Sequence, residues 1–262
     1  MKLLRSPLKD FRQVFDQGLS VRYIAEPLIS FDTKMDALEV KNIMSKKGFD
    51  VIGVREEGII TGMVSKDNLG HGILRTYLEE INNGSYIQDW EPMLKVLTML
   101  KNHTQLFVLS MGEVSGIVTR SDLQKIPVRM WFFGVLSLLE MQLLRIIRMS
   151  FQEEEIREIL SEERLKSAEI ILDQRREKNT EIDFADCLQL ADKIVIVINS
   201  EQVMKAIGIE SQTQGKKILG KLERLRNDLA HSQDFVNTRW PQLVDLMKRA
   251  EMLLEKCESF VR

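Results

Sequence analysis

The feature that most limits what this chain can fold into is an internal repeat. GIITGMVSKDNL, from Gly58 to Leu69, aligns without a gap on GEVSGIVTRSDL, from Gly112 to Leu123, at an offset of 54 residues. The match continues upstream: DVIGV, ending at Val54, lies over TQLFV, ending at Val108, and Val40 and Ile43 lie over Leu94 and Leu97. A whole unit is therefore duplicated. Each copy reads as an apolar-periodic helix (Met35 to Lys46; Met93 to Lys101), a short buried strand, a glycine turn and a second strand that ends in a polar motif. A further helix is expected after each motif, which gives β-α-β-β-α repeats over about 14–72 and 73–128. Gly58 and Gly112 fit a tight hairpin turn, because glycine takes positive φ at no steric cost. Gly62 and Gly116 stand inside the second strand, where a missing side chain admits another group close to the backbone.

The repeated motif, Gly-x-x-Ser/Thr-x-x-Asp after a strand, resembles that of tandem CBS domains, regulatory modules named after cystathionine β-synthase. The resemblance covers roughly residues 1–128. It implies two copies packed about an internal two-fold, with clefts for an adenosine nucleotide (AMP, ADP or ATP). In that family the hydroxyl and nearby amides hold phosphate and the acid holds the ribose hydroxyls. Carried over by position, Thr119 and Asp122 match fully; Ser65 keeps the hydroxyl in the first copy, but Asn68 stands where the acid is expected. The site using Thr119 and Asp122 should then be the better one, since a carboxylate accepts from two vicinal hydroxyls more strongly than an amide does. Lys66 and Arg120, each one residue after its hydroxyl, are candidates to steady phosphates or, equally, solvated charges. The same residue types also cap helices, so a purely structural use of the motif stays open.

After Pro127 glycine becomes scarce, and leucine, isoleucine, glutamate, lysine and arginine dominate. The composition predicts an all-α bundle over residues 129–262, with helices at Met130 to Met149, Glu153 to Arg176, Asp183 to Asn199, Gln212 to Ala230 and Pro241 to Glu258. The β-branched run KIVIVI at Lys193 to Ile198 would also suit a strand; DFADCLQLADK leads into it at helical spacing, so it is read as buried helix. Overall the fold class is α+β, a duplicated mixed unit followed by helices.

Near the end of the fourth of these helices stands ERLRNDLAHSQ. Leu222, Leu225 and Leu229 mark the buried stripe, and Arg226 lies off it. Arg226 and His231 are five apart, roughly 140° around the helix and about 7.5 Å along it, so one straight helix does not aim both at one atom. The spacing Arg-x-x-x-x-His, with Asn227 directly after the arginine, resembles the signature of HEPN domains (higher eukaryotes and prokaryotes nucleotide-binding). That resemblance covers roughly residues 129–262. It implies a homodimer that brings two motifs face to face, and a metal-independent endoribonuclease that works through the ribose 2'-hydroxyl. Histidine titrates near neutrality and can take or give that proton. Arginine can hold the phosphate and its growing charge. Asparagine can orient either partner. Toxin members of the family carry a tyrosine two residues after the histidine; here Gln233 stands there, which puts control by tyrosine modification in doubt. The alternative is a non-catalytic unit that dimerises or docks RNA or another partner under nucleotide control.

Bulk properties fit a cytoplasmic regulator. Thirty-seven Lys plus Arg against 39 Asp plus Glu give a net charge of -2, so an RNA site must be a local patch. Two isolated cysteines, Cys187 and Cys257, read as buried thiols in a reducing compartment. No metal-ligand spacing is evident. The most apolar run, Met130 to Leu144, is interrupted by Glu140 and Gln142 and reads as too short and too polar to cross a membrane.

Overall fold

The computed structural model describes residues 18–178, 182–230 and 240–261. The chain divides into two compact units, Met1–Val128 and Arg129–Arg262.

The first unit repeats one βαββ plan. In the first copy β2 (Ser30–Asp32), α1 (Ala37–Lys47), β3 (Val51–Glu56) and β4 (Ile59–Ser65) form a sheet in which β2 runs parallel to β3 and β4 antiparallel to it. In the second, β5 (Tyr86–Gln88), α2 (Met93–Met99), β6 (Gln105–Ser110) and β7 (Glu113–Thr119) do the same. The offset of 54 holds at the level of single bonds. Val54 faces Gly62 and Val108 faces Gly116, and each hairpin shifts register at the next residue, Arg55 or Leu109. Both hairpins turn on two residues of positive φ, Glu57 (52°) with Gly58 (88°) and Met111 (53°) with Gly112 (90°). This type of turn matches the right-handed twist of the strands it joins.

The sheet edges are crossed. β1 (Glu26–Pro27), which precedes the βαββ plan of the first copy, pairs with β7 of the second. Between the copies, Glu79 pairs with Met63 of β4 through reciprocal backbone bonds of 2.8 and 2.9 Å. Gly62 and Gly116 make room for these additions: a Cβ would stand 2.5 Å from the Glu79 carbonyl at the first and 2.9 Å from the Glu26 carbonyl at the second. Leu28, Ile81 and Phe107 are buried in a cluster with Ile60, Met63, Val114 and Ile117 packed on it. Ile60 corresponds to Val114 and Met63 to Ile117, so equivalent positions of both copies build the one layer.

The expected helix after the first motif does not form. A 3-10 turn at Lys66–Asn68 is followed by a second at Leu74–Tyr77. Gly72 has a φ of 117°, outside the helical region, and its carbonyl accepts from the Ala37 amide at the start of α1. Leu74 and Arg75 donate to Met35 and Thr33, so this backbone is committed to bracing α1 rather than to its own helix. In the second copy a 3-10 turn at Arg120–Gln124 leads into α3 (Ile126–Ser150).

The second unit is helical: after α3 come α4 (Glu153–Ile159), α5 (Glu162–Arg176), α6 (Leu190–Asn199), α7 (Glu201–Ala206), α8 (Gln212–Ala230) and α9 (Trp240–Phe260). Two expected helices are interrupted and one was not foreseen. The chain breaks before Ser161, an extended N-cap residue followed by Glu162 and Glu163, which suit the positive end of a new helix. It breaks again between a 3-10 turn at Phe184–Cys187 and α6, where Gln189 and Asp192 form a capping box. The short α7 is capped by Ser200 on the Val203 amide. KIVIVI is helical, with Ile194, Ile196, Val197 and Ile198 all buried.

α3 spans 25 residues and is long and apolar enough to cross a membrane by those measures, which overturns the argument from length. Most of its apolar surface, including Trp131, Phe132, Leu139, Leu143 and Ile146, is instead buried within the protein. Both cysteines are buried and free, and burial pushes the Cys257 thiol up to about 12.

Two outcomes test this account. Gly62→Ala, by driving a Cβ into the Glu79 carbonyl, is expected to cost about 2 kcal/mol or more in urea unfolding. In the second unit Arg148 pairs with Asp183 and Asp186 at 2.8 and 2.7 Å. Partial burial would raise the Asp183 carboxyl, but the Arg148 guanidinium and the Asp186 amide outweigh it and hold the carboxyl below its usual value. A depressed carboxyl contributes stability that is complete above the unfolded value of about 4 and is lost as pH falls through the depressed one. Asp183→Asn should therefore be less stable than wild type at neutral pH, with the difference shrinking in thermal melts taken below about pH 4.

Candidate functional site

The repeated motifs lie where the second strand of each copy ends. Thr119 is the last residue of β7 and caps the turn Arg120–Gln124. One oxygen of the nearly buried Asp122 carboxylate accepts from the Thr119 amide (2.7 Å) and hydroxyl (2.9 Å). The other faces the Lys125 ammonium at 2.9 Å. Lys125 also donates to the Ile24 carbonyl (2.6 Å) and to the Glu26 carboxylate, both next to or within the strand that edges this sheet. Partial burial works against the charge of Lys125, yet the carboxylates of Glu26 and Asp122 prevail and raise its pKa above the ordinary lysine value. Arg120 donates twice to the Leu100 carbonyl, at 3.2 and 3.1 Å, and so caps the end of α2.

The first copy follows the same plan with weaker chemistry. Asn68 donates to the Glu79 carboxylate at 2.6 Å, and Glu79 is the residue that edges this sheet. Lys66 pairs with Asp50 at 2.7 Å, whose hydrogen bond raises the lysine pKa. Ser65 is half-buried and makes no side-chain cap. In each copy, then, the residue at the acid position is tied to the edge segment, directly through Asn68 or by way of Lys125.

The second unit brings another set of charged groups together. α8 buries Leu219, Leu222, Leu225 and Leu229 and places Arg226 and Asn227 beside that stripe in its last turns. A cavity of about 330 Å³ is lined by Glu140, Arg175, Lys193, Glu223, Arg226 and Asn227, among others. Arg226 donates from Nη1 to Asn227 Oδ1 at 3.2 Å, while its Nη2 lies 3.6 Å from Glu140 Oε2. The Nε of Arg226 is buried and has no partner among the described residues. The other oxygen of Glu140 accepts from Lys193 Nζ at 2.8 Å, and that lysine is only 8% exposed. His231 and Gln233 lie outside the described residues. In the sequence Glu140 stands as an interruption of an apolar run and Lys193 as the first residue of KIVIVI, read as buried helix, and neither is marked as a site residue. A charge inside a strongly apolar helix was the signal available for both.

No family model matches this chain, and no curated protein sequence does. Solved structures do. A CBS domain-containing protein of unknown function from Bacillus anthracis is 15% identical over 43% of this chain and 94% of its own, with a TM-score of 0.36. The CBS domain of a bacterial CNNM/CorC family Mg2+ transporter, solved in complex with ATP, is 12% identical over 46% of this chain and 94% of its own, with a TM-score of 0.36. Staphylococcus aureus OpuCA is 20% identical over 38% and 92%, with a TM-score of 0.34. The N-terminal region of this chain is similar to CBS-domain proteins.

Asp122 completes the turn that ends β7, so its removal tests the structural share of the motif. Asp122→Ala should cost about 1–3 kcal/mol in denaturant unfolding, because it removes the acceptor of the Thr119 amide and half-buried hydroxyl and one of the two carboxylates on Lys125. Asn68→Ala, whose partner is an exposed carboxylate, should cost less than about 1 kcal/mol in the same measurement.

Proposed function

We propose that this protein is an adenosine-nucleotide-responsive regulator, a tandem CBS-type sensor joined to a HEPN-like helical unit that binds RNA and cleaves it without a metal. The observation that carries the reading is the meeting of Arg226 and Asn227 in one cavity, with the arginine steadied by the asparagine and one buried donor unpaired. The sensor half is supported by the bond-for-bond equivalence of the two copies and by the placing of Thr119, Asp122, Ser65 and Asn68 at matching strand ends.

In this reading the ribose hydroxyls replace Lys125 on the outer oxygen of Asp122, while Thr119 and the amides of its turn meet phosphate. Arg120 and Lys66 would have to leave the Leu100 carbonyl and Asp50 to reach a phosphate. In the effector unit His231 takes the proton of the 2'-hydroxyl as its oxygen attacks the adjacent phosphorus. Arg226 stabilises the charge on the phosphate oxygens, and the 5'-oxygen leaves with a proton, so that a 2',3'-cyclic phosphate remains. A homodimer would supply base and acid from two copies of the motif. Control by nucleotide requires that it bind the active and inactive arrangements unequally.

A second reading is favoured by the Thr119–Asp122 capping box and the two hydrogen bonds of Arg120 to Leu100: the motifs are fully used in holding their own turns, leaving a non-catalytic module for dimerisation or partner binding. One experiment separates the two. Full-length wild type and His231→Ala are incubated with mixed-sequence RNA in excess chelator, with and without AMP or ATP. The expected result is cleavage by the wild type, a loss of roughly 100-fold or more in the variant, and a rate that changes with nucleotide only while Asp122 is intact. Equal inactivity of both proteins under every condition would leave the second reading.

A further inference from the structure

Glu140 sits on α3 between two cations carried by different helices, Lys193 on α6 and Arg226 on α8. Lys193 anchors Oε1 at 2.8 Å, and Oε2 is then left facing the Arg226 guanidinium at 3.6 Å, too far for a hydrogen bond and close enough for attraction. With Oε1 engaged by Lys193 and Oε2 3.6 Å away, the two-pronged pair that arginine ordinarily makes with an acid is not formed. Arg226 is therefore drawn to one place without having its fork of donors consumed. Asn227 takes Nη1 from the neighbouring position, and Nε stays unpaired.

Stability gives no sufficient reason for this arrangement. Lys193 and Glu140 are 8% and 19% exposed, and a buried pair of this kind is commonly no more stable than apolar residues of the same volume, because desolvation offsets the attraction. Lysine and glutamate are also costly choices in two helices as apolar as α3 and α6. Arg175, Lys193 and Arg226 line the cavity together with Glu140, Asp186 and Glu223, so its charges balance, and the groups suited to a phosphodiester are the Nη donors of Arg226 rather than a net charge.

We infer that Glu140 is a positioning residue for Arg226: it holds the guanidinium in the cavity with its Nη donors only partly engaged and available to the phosphodiester of an RNA strand, while Lys193 fixes the carboxylate. This rests on the RNA reading given above.

Glu140→Gln alone strands the Lys193 charge and is expected to lower the melting temperature. The test therefore centres on Glu140→Gln with Lys193→Met, which removes both charges at nearly constant volume, compared in the full-length chain with Lys193→Met alone and with wild type. For each, kcat and KM for a mixed-sequence RNA in excess chelator, oligonucleotide affinity and thermal melting are measured. The double variant should regain a melting temperature near that of wild type and yet lose about tenfold or more in kcat with a smaller change in KM. Lys193→Met, in which Glu140 still faces Arg226, should cut about tenfold faster than the double variant. If the wild type binds RNA without cutting it, the same ordering is read in affinity. A double variant as active as wild type, or activity that simply tracks melting temperature, overturns the role of Glu140 and leaves the RNA reading standing. A wild type that neither binds nor cuts RNA overturns both.

Discussion

The first unit depends on two close approaches of backbone to backbone, at Gly62 and Gly116. Each lets a segment from outside a copy complete the edge of a sheet, and the two segments are exchanged: β1 edges the second copy and Glu79 the first. A three-stranded βαββ sheet of this size has little core of its own and an open edge besides. Crossing the edges removes both weaknesses at once, because neither copy can complete its sheet without the chain that leads to the other. The shared apolar layer of Ile60, Met63, Val114 and Ile117 then has a fixed register, since a slip of one residue would turn every inward side chain outward.

That crossing also determines what the motifs can do. The residues at the acid positions, Asn68 and Asp122, each end on the segment that edges their own sheet, Glu79 directly and Glu26 by way of Lys125. A ligand that takes Asp122 from Lys125 must therefore loosen a contact between turn and edge strand, and the free energy of that exchange is subtracted from its affinity. The first copy offers an amide bonded to the Glu79 carboxylate, so it gives up less and gains less. The asymmetry between the two copies thus follows from Asn68 standing for an acid and from His71 standing where the second copy has Lys125.

Much of this was legible in the sequence, and the limits have physical causes. The repeat, the hairpin turns at Gly58 and Gly112 and the crowded glycines Gly62 and Gly116 were readable because glycine at a fixed offset has few other uses. The helix expected after the first motif does not form because Gly72, in GHG, turns the backbone, and the bonds to Met35, Thr33 and Ala37 that exploit the turn are tertiary. In the second unit the lengths of α3, α8 and α9 followed from apolar periodicity, whereas the breaks before Ser161 and Leu190 rest on caps within sequences that could have continued as helix. Of the candidate site, Arg226 and Asn227 were found by their spacing. Glu140 and Lys193 were not, because nothing in one dimension brings residues 53 positions apart to a single cavity.

The cavity and the motifs also differ in how their charges are held. In the motifs every cation has a matched acceptor: Lys125 has two carboxylates and a carbonyl, Arg120 a carbonyl, Lys66 a carboxylate. In the cavity Arg226 has a carboxylate at arm's length, already engaged by Lys193, and a buried nitrogen with no acceptor. A donor left unpaired under burial costs on the order of 1–3 kcal/mol, which a folded chain has no reason to retain for stability alone. The Nη groups, one on Asn227 and the other 3.6 Å from Glu140, are the part of this guanidinium that an anion would meet. The motifs must break bonds to receive a ligand, whereas the cavity keeps the Nη donors of Arg226 only partly engaged.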